Sequence, residues 1–345
     1  MQSLRILPDL RSSVVEEKHP GQVLLFTSER DDSDASLTGD SMVRPFSWRT
    51  FVDALRDPDL ELLEVAEPLW LGEWRKALRY VAVAKVVRPR ITVATYAIEN
   101  FDARERLATR AGRTAMGVSM LGLDAVAFGT TGAYENHRRA FGWALRRTRH
   151  AVLPPRLDAC TVCGPSTAAP REPVVLFLGA PSERKGFPVL LEAWRRTAPE
   201  GWRLVVADPS GDETPELPPG AEVRRQPARE AVHELLRTSA VVVMPSVRRP
   251  GWREQIGLPL VEGLAHGCRV VTTTETGLAD DLRAHPDVHL TTPGDPDDLA
   301  RGLREAMDRG RADRPERRGF SKREVTDWWL AATKTRRRAA TTSPR

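Results

Sequence analysis

From residue 173 onward the chain alternates continuous apolar runs with helical patterns, and this alternation limits the fold more than any other feature. The runs are VVLFLG (174–179), LVVAD (204–208), AVVVMPS (240–246), CRVVTTTE (268–275) and VHLTT (288–292). A strand with one wet face alternates apolar and polar residues, whereas a strand buried on both faces of a parallel sheet reads as an unbroken run. Covering helices are predicted over residues 187–197, 229–239, 258–266 and 297–308. The second half is therefore expected to be a doubly wound α/β domain.

At 345 residues the chain is too long for one ordinary core, and two domains of roughly 150 to 180 residues are expected. The first half carries strand-like runs at 23–28, 60–65, 90–96 and 123–129, with helical patterns at 74–87 and 103–113. Residues 30–46 are polar and rich in Asp and Ser, which reads as a mobile loop. A Pro-, Ala-, Ser- and Cys-rich stretch at 153–171 reads as the connection between domains. The expected division is an N-terminal Rossmann-like domain over 1–160, a linker over 161–172 and a C-terminal Rossmann-like domain over 173–320. The last segment, 321–345, is expected to hold a helix crossing back to the first domain and a basic tail. Two such domains would face each other across a cleft at their strand ends.

Apolar residues make up 41% and charged residues 29% of the chain, and no run approaches the ~20 apolar residues of a membrane span. The N-terminal segment has no apolar signal-peptide core, and three cysteines are too few for a disulfide framework. A cytoplasmic setting is expected. The net charge of +5 is concentrated in patches at 146–149 and 334–338. Basic patches attract anions, which allows peripheral contact with an anionic inner membrane face, although a tail this short is more often simply solvated. Nucleic-acid binding is not expected, because basic residues do not interleave with aromatics in any recognised pattern.

Function is carried by the run from Glu254 to Gly267. Glu254 and Glu262 flank a Gly257-Leu258-Pro259 turn that opens a helix, and a helix start offers unpaired N–H groups and the positive end of a dipole. A diphosphate suits that position. Glu254 can accept sugar hydroxyls, and Glu262 can hold ribose hydroxyls as the acidic residue of dinucleotide folds does. Complementing the helix dipole is the plainer alternative for either carboxylate.

Together with its neighbours, the stretch VVVMPSVRRPGWREQIGLPLVEGLAHGCRVVTTTETGLADDL resembles the donor site of the retaining glycosyltransferases of family 4, which have the GT-B architecture. LFLGAPSERKGFPVLLEAW resembles the same family's first C-domain strand and phosphate-binding lysine loop, and GFSKREVTDWW more loosely resembles its last helices. The resemblance covers residues 174–329 well and the first half loosely. It implies that Glu262 holds the ribose, that Glu254 orients the transferred sugar and that Lys185 neutralises the leaving diphosphate. It also places Gly257, Leu258, Ile256, Arg184, Gly179 and Ser246 at the donor. The nucleotide sugar is a substrate, and neither a metal nor another cofactor is expected. The acceptor, whether a glycan, a lipid-linked group or a small molecule, is not specified.

Two positions depart from the family. Ala180 stands where an Arg is usual, with Arg184 as a substitute or a plain surface residue. Ala97 stands where a His is usual, and Glu99 and Asn100 then either contact the sugar or acceptor or simply cap a loop. The glycine turn after the first strand is replaced by a longer acidic loop at 27–39. Ala97 and Ala180 leave open a GT-B scaffold that binds nucleotide without catalysis. A sugar-nucleotide epimerase is a further alternative, but it would be expected to carry more carboxylates and histidines in the first domain than this chain shows.

Other features read as structural. Cys160 and Cys163 have CxxC spacing, but no second pair or histidine stands near them in sequence, so a zinc site is not expected. His137 and His150 lie among arginines and read as surface residues. His266 reads as a residue that complements the end of a helix. Trp252 either covers the donor sugar or steadies its loop, and Asp280 and Asp281 complement a helix start.

Overall fold

The computed structural model describes residues 2–10, 12–29, 40–157, 159–160, 162–164, 171–197, 200–210, 216–309 and 319–341. Most of the acidic loop expected after the first strand, residues 30–39, lies outside them. The chain divides into two units, one comprising Met1–Pro154 with Phe320–Arg345 and the other Pro155–Gly319.

In the first unit β1 (Ser3–Leu10), β2 (Gln22–Glu29), β3 (Val43–Pro45), β4 (Leu62–Val65), β5 (Thr92–Ala97), β6 (Ala125–Phe128) and β7 (Arg149–Val152) form one sheet in the order β3-β2-β1-β4-β5-β6-β7. All its pairings are parallel. The helices are α1 (Ser12–Glu16), α2 (Trp48–Leu55), α3 (Leu71–Val87), α4 (Ala103–Arg106), α5 (Arg110–Met120) and α6 (Thr131–Leu145). The single helix expected over 103–113 is two, because the Thr109 hydroxyl accepts the Gly112 N–H and starts a new helix after the short α4. Strand β1 was not expected, since Arg5, Pro8 and Asp9 interrupt its apolar run. Leu4, Ile6, Leu7 and Leu10 are nonetheless buried, and Arg5 Nε lies 3.2 Å from Glu64 Oε1.

The C-terminal segment belongs to this first unit. Val325, Trp329 and Leu330 pack with Leu62, Ala94, Ala125, Ala127 and Leu153. Lys322 donates to Glu64 Oε1 at 2.6 Å and lies over the rings of Tyr96 and Trp329.

The second unit contains β8 (Glu172–Leu178), α7 (Phe187–Thr197), β9 (Arg203–Asp208), β10 (Ala221–Arg225), α8 (Arg229–Thr238), β11 (Ser239–Met244), α9 (Leu258–Ala265), β12 (Arg269–Thr273), α10 (Ala279–Leu282), β13 (Val288–Thr291) and α11 (Pro296–Asp308). Its strands run parallel in the order β10-β9-β8-β11-β12-β13. That is the Rossmann order, in which the chain builds outward from β8, returns beside it at β11 and builds the other way. Val175, Phe177, Val241, Val243 and Val271 meet Leu190, Trp194, Leu299 and Leu303 from the covering helices in one core. Strand β10 was missed because its apolar content is limited to Ala221 and Val223 on a sheet edge. In the C-terminal segment of the first unit, α12 (Lys322–Thr341) carries on through the 334–338 patch of the expected basic tail.

Candidate active site

The second unit's sheet has its topological switch between β8 and β11, and an open α/β sheet binds ligands beyond the carboxyl ends of its strands at such a switch. The loop after β8 ends in a single 3-10 turn, Glu183–Lys185, closed by Gly186 at φ +69°. A Cβ on Gly186 would lie 1.9 Å from the Pro245 carbonyl oxygen, so only glycine lets this loop rest against the end of β11. The contact brings Lys185 to Glu254. Lys185 Nζ is 2.5 Å from Glu254 Oε2, and Ser246 Oγ donates to the same oxygen at 3.0 Å. Glu254 and Ser246 are both buried.

Gly257, at φ +72°, precedes α9, and no side chain among the described residues caps the helix. Pro259 has no N–H and the Leu260 N–H donates to Gly257 O at 2.9 Å. The amides that this helix start can offer an anion are those of Gly257 and Leu258. Ile256 is buried, and its carbonyl accepts the Thr276 hydroxyl. Gly179 follows β8 and donates to the Ala207 carbonyl. Arg184 lies 5.0 Å from the centre of the Trp252 ring and Lys185 Nζ 5.8 Å from it, so Trp252 serves the loop as a platform for both cations.

Glu262 begins the second turn of α9 and pairs with Arg229 at 2.6 Å. The arginine opens α8 and was not singled out in sequence, where it reads as one of many. Together Glu254, Lys185, Ser246, Gly257 and Leu258 surround the strand ends, while Glu262 stands further along the same helix.

In the first unit Glu99 is buried, accepts the Phe101 N–H at 2.9 Å and pairs with Arg106 at 3.2 Å. Asn100 Nδ2 donates to Ile98 O, and its Oδ1 accepts the Thr130 hydroxyl. Both residues thus make contacts within their own loop and with neighbouring segments of the first unit. Beside them Glu67, unremarked in sequence, accepts the Ile98 and Glu99 amides at 3.1 and 3.0 Å. Burial pushes its carboxyl up to about 8, with the nearby Glu99 charge adding to the rise.

Two expectations about histidines do not hold. His137 is fully buried rather than at the surface, packs on Phe128 and Phe141, and donates from Nδ1 to Ala133 O. Burial brings its ring down to about 4. The Cys160–Cys163 pair also has histidine neighbours after all. His233 Nδ1 is 3.7 Å from Cys160 Sγ, 3.4 Å from Cys163 Sγ and 3.2 Å from His266 Nε2. Sequence could not show this, because His233 on α8 and His266 at the end of α9 lie far along the chain from the cysteines.

The family model described as Glycosyl transferases group 1 matches residues 172–309, most of the second unit. Comparison with curated proteins finds no match. Among solved structures, HepE of Anabaena in complex with UDP and glucose is 13% identical at a TM-score of 0.59, over 99% of this chain and 100% of that one. A glycosyltransferase of Rickettsia africae is 11% identical at a TM-score of 0.65, over 97% and 93%. Sucrose-phosphate synthase of Thermosynechococcus elongatus is 14% identical at 0.56, over 99% and 100%. The fold is accordingly the α/β fold of the GT-B glycosyltransferases, with two Rossmann-like domains.

Proposed function

We propose that this chain is a glycosyltransferase that moves a hexosyl group from a nucleotide-diphosphate sugar to an acceptor with retention of configuration, as the family-4 resemblance implies. The observation that carries the reading is the convergence of Lys185 and Ser246 on Glu254 at the switch point of the second sheet, beside a helix start with no side-chain cap. Lys185 and the Gly257 and Leu258 amides take the diphosphate, and their charge and dipoles stabilise the negative charge that grows as it departs. Glu254 orients the sugar and Glu262 takes the ribose hydroxyls. No metal acts at the leaving group in this reading. The family match over 172–309 supports it.

A cytoplasmic location, with peripheral membrane contact through residues 146–149, is part of the same proposal. No helix among the described residues is long and apolar enough to cross a membrane. A binding scaffold without turnover is the second reading, favoured by the internal bonds that occupy Glu99 and Asn100 and by Ala97 and Ala180.

The test is thermal stability against UDP-, GDP-, ADP- and TDP-sugars, with Glu262→Ala as control. A donor at ~100 times its Kd adds about 2.7 kcal/mol. Stabilisation of the wild type alone by one nucleotide class supports the donor site. Sugar transfer, with product configuration read by NMR, then separates the enzyme from the scaffold, and no stabilisation by any donor overturns both.

A further inference from the structure

We propose that Cys160, Cys163, His233 and His266 form a tetrahedral zinc site that fastens the interdomain segment to helices α8 and α9. The four ligand atoms all lie within 4.8 Å of one another. A tetrahedral ion with Zn–S and Zn–N bonds of normal length holds its ligand atoms roughly 3.3 to 3.8 Å apart. The separations from His233 Nδ1 to the two sulfurs and to His266 Nε2 are 3.7, 3.4 and 3.2 Å, inside or close to that range.

The surroundings fit ligation as well. His266 Nδ1 donates to the Glu262 carbonyl at 2.7 Å, which leaves the Nε2 lone pair turned toward the cluster. Metal-bound histidines are commonly held this way through their second nitrogen. The Cys163 N–H points at Cys160 Sγ at 3.4 Å, and the Gly164 N–H closes the turn on Cys160 O at 2.9 Å, with Gly164 at φ +71°. An amide directed at sulfur favours the thiolate, the form a metal binds. Two thiolates and two neutral imidazoles balance a divalent cation, and this sulfur–nitrogen set suits zinc. All four positions are filled by protein, so the site is structural rather than catalytic.

Its placement gives it a purpose. His233 stands one turn beyond Arg229 on α8, and His266 follows Glu262 by one turn as the C-terminal cap of α9, so the cluster continues the link already made by the Arg229–Glu262 pair. Arg171 closes the far end by donating to the Leu236 and Arg237 carbonyls of α8 and to His266 O at the end of α9. The metal would thereby hold both helices in register at the place where Glu262 is mounted.

The experiment uses the full chain under reducing conditions. Zinc is measured in the purified protein, the metal is removed with a chelator, and Co2+ is then titrated in while thiolate-to-cobalt charge transfer and tetrahedral d–d absorption are followed. The expected result is one equivalent of Co2+ with both absorptions, displaced by Zn2+, and loss of both in Cys163→Ser and His233→Asn. Absence of sulfur charge transfer in the reduced wild-type chain overturns the proposal, whatever the variants do. So does a Cys160–Cys163 disulfide that after reduction takes up no metal, or cobalt absorption that survives in a Cys160→Ser/Cys163→Ser double variant. No nucleotide enters the assay, so its failure leaves the donor reading standing, and failure of the donor reading leaves the metal result unchanged.

Discussion

Lys185 Nζ lies 2.5 Å from Glu254 Oε2, and the two side chains are only 16% and 9% exposed. A cation paired this closely is not waiting free for phosphate, so donor binding must draw Lys185 away from the carboxylate or share it with the diphosphate. Removing one partner leaves the other buried without compensation, which costs about 3 to 5 kcal/mol for a fully buried pair and less for this one. Lys185→Ala is expected to lower both the melting temperature and turnover. The double variant Lys185→Met/Glu254→Gln should regain melting temperature but not turnover. Recovery of turnover in the double variant would show that the pair holds the fold and leaves the leaving group alone.

Arg229, 2.6 Å from Glu262, holds that carboxylate as Glu254 holds Lys185, so the ribose must share Glu262 with it. Glu262→Gln keeps the shape and removes the charge. Hydrogen bonds to a charged acceptor contribute about 1.5 to 3 kcal/mol, so calorimetric affinity for the preferred nucleotide is expected to fall by roughly 10- to 150-fold. An unchanged Kd would remove Glu262 from the ribose site.

Gly186 offers a purely steric test. An added Cβ would meet the Pro245 carbonyl oxygen at 1.9 Å, at a φ of +69°. The left-handed conformation alone costs a non-glycine residue about 1 to 2 kcal/mol, and the clash adds to it. Gly186→Ala is expected to lower the melting temperature and to abolish nucleotide-induced stabilisation, because Lys185 sits on the displaced turn. Gly72→Ala, where nothing among the described residues lies within 4 Å of the added carbon, serves as the control and should be neutral or stabilising.

The second unit was largely legible because its strands, edge strand β10 apart, are covered on both faces, which writes them as unbroken runs, and Lys185, Ser246 and Glu254 meet because each lies in a short segment beyond a strand end. The helix over 187–197 has the expected bounds. What sequence could not reach depends on contacts between distant segments. Arg229 gains its meaning only where α8 brings it against Glu262, and His233 and His266 find Cys160 and Cys163 only through the packing of two helices. In the first unit, β1 hides its burial behind Arg5, whose charge is answered by Glu64 on the neighbouring strand. His137 was misread for the converse reason, since arginines adjacent in sequence say nothing about the face of α6 that turns inward against Phe128.

Glu67 supplies a pH signature for the first unit. Its carboxyl titrates at 4.5 in the absence of burial and is pushed to about 8 in the fold. Oε1 is buried with no hydrogen-bond partner among the described residues, which fits a neutral group. Between those two values the folded chain holds a proton that the unfolded chain has released, so folding takes up a proton and stability falls as pH rises. The contribution is fully present below pH ~4.5 and is lost as pH climbs through ~8, with a slope of at most about 1.4 kcal/mol per pH unit. Other buried groups titrate too, and His137 acts in the opposite sense between about 4 and 6.5, where its stabilising effect grows with pH. The difference between wild type and Glu67→Gln isolates the Glu67 part, because glutamine keeps the acceptor for the Ile98 and Glu99 amides and cannot ionise. Denaturant melts across pH ~5 to ~8 should show the wild type losing stability relative to Glu67→Gln as pH rises. Parallel curves for the two proteins would mean that Glu67 is ionised in the fold and that Arg106, near the adjoining Glu99, neutralises the site more strongly than burial opposes it.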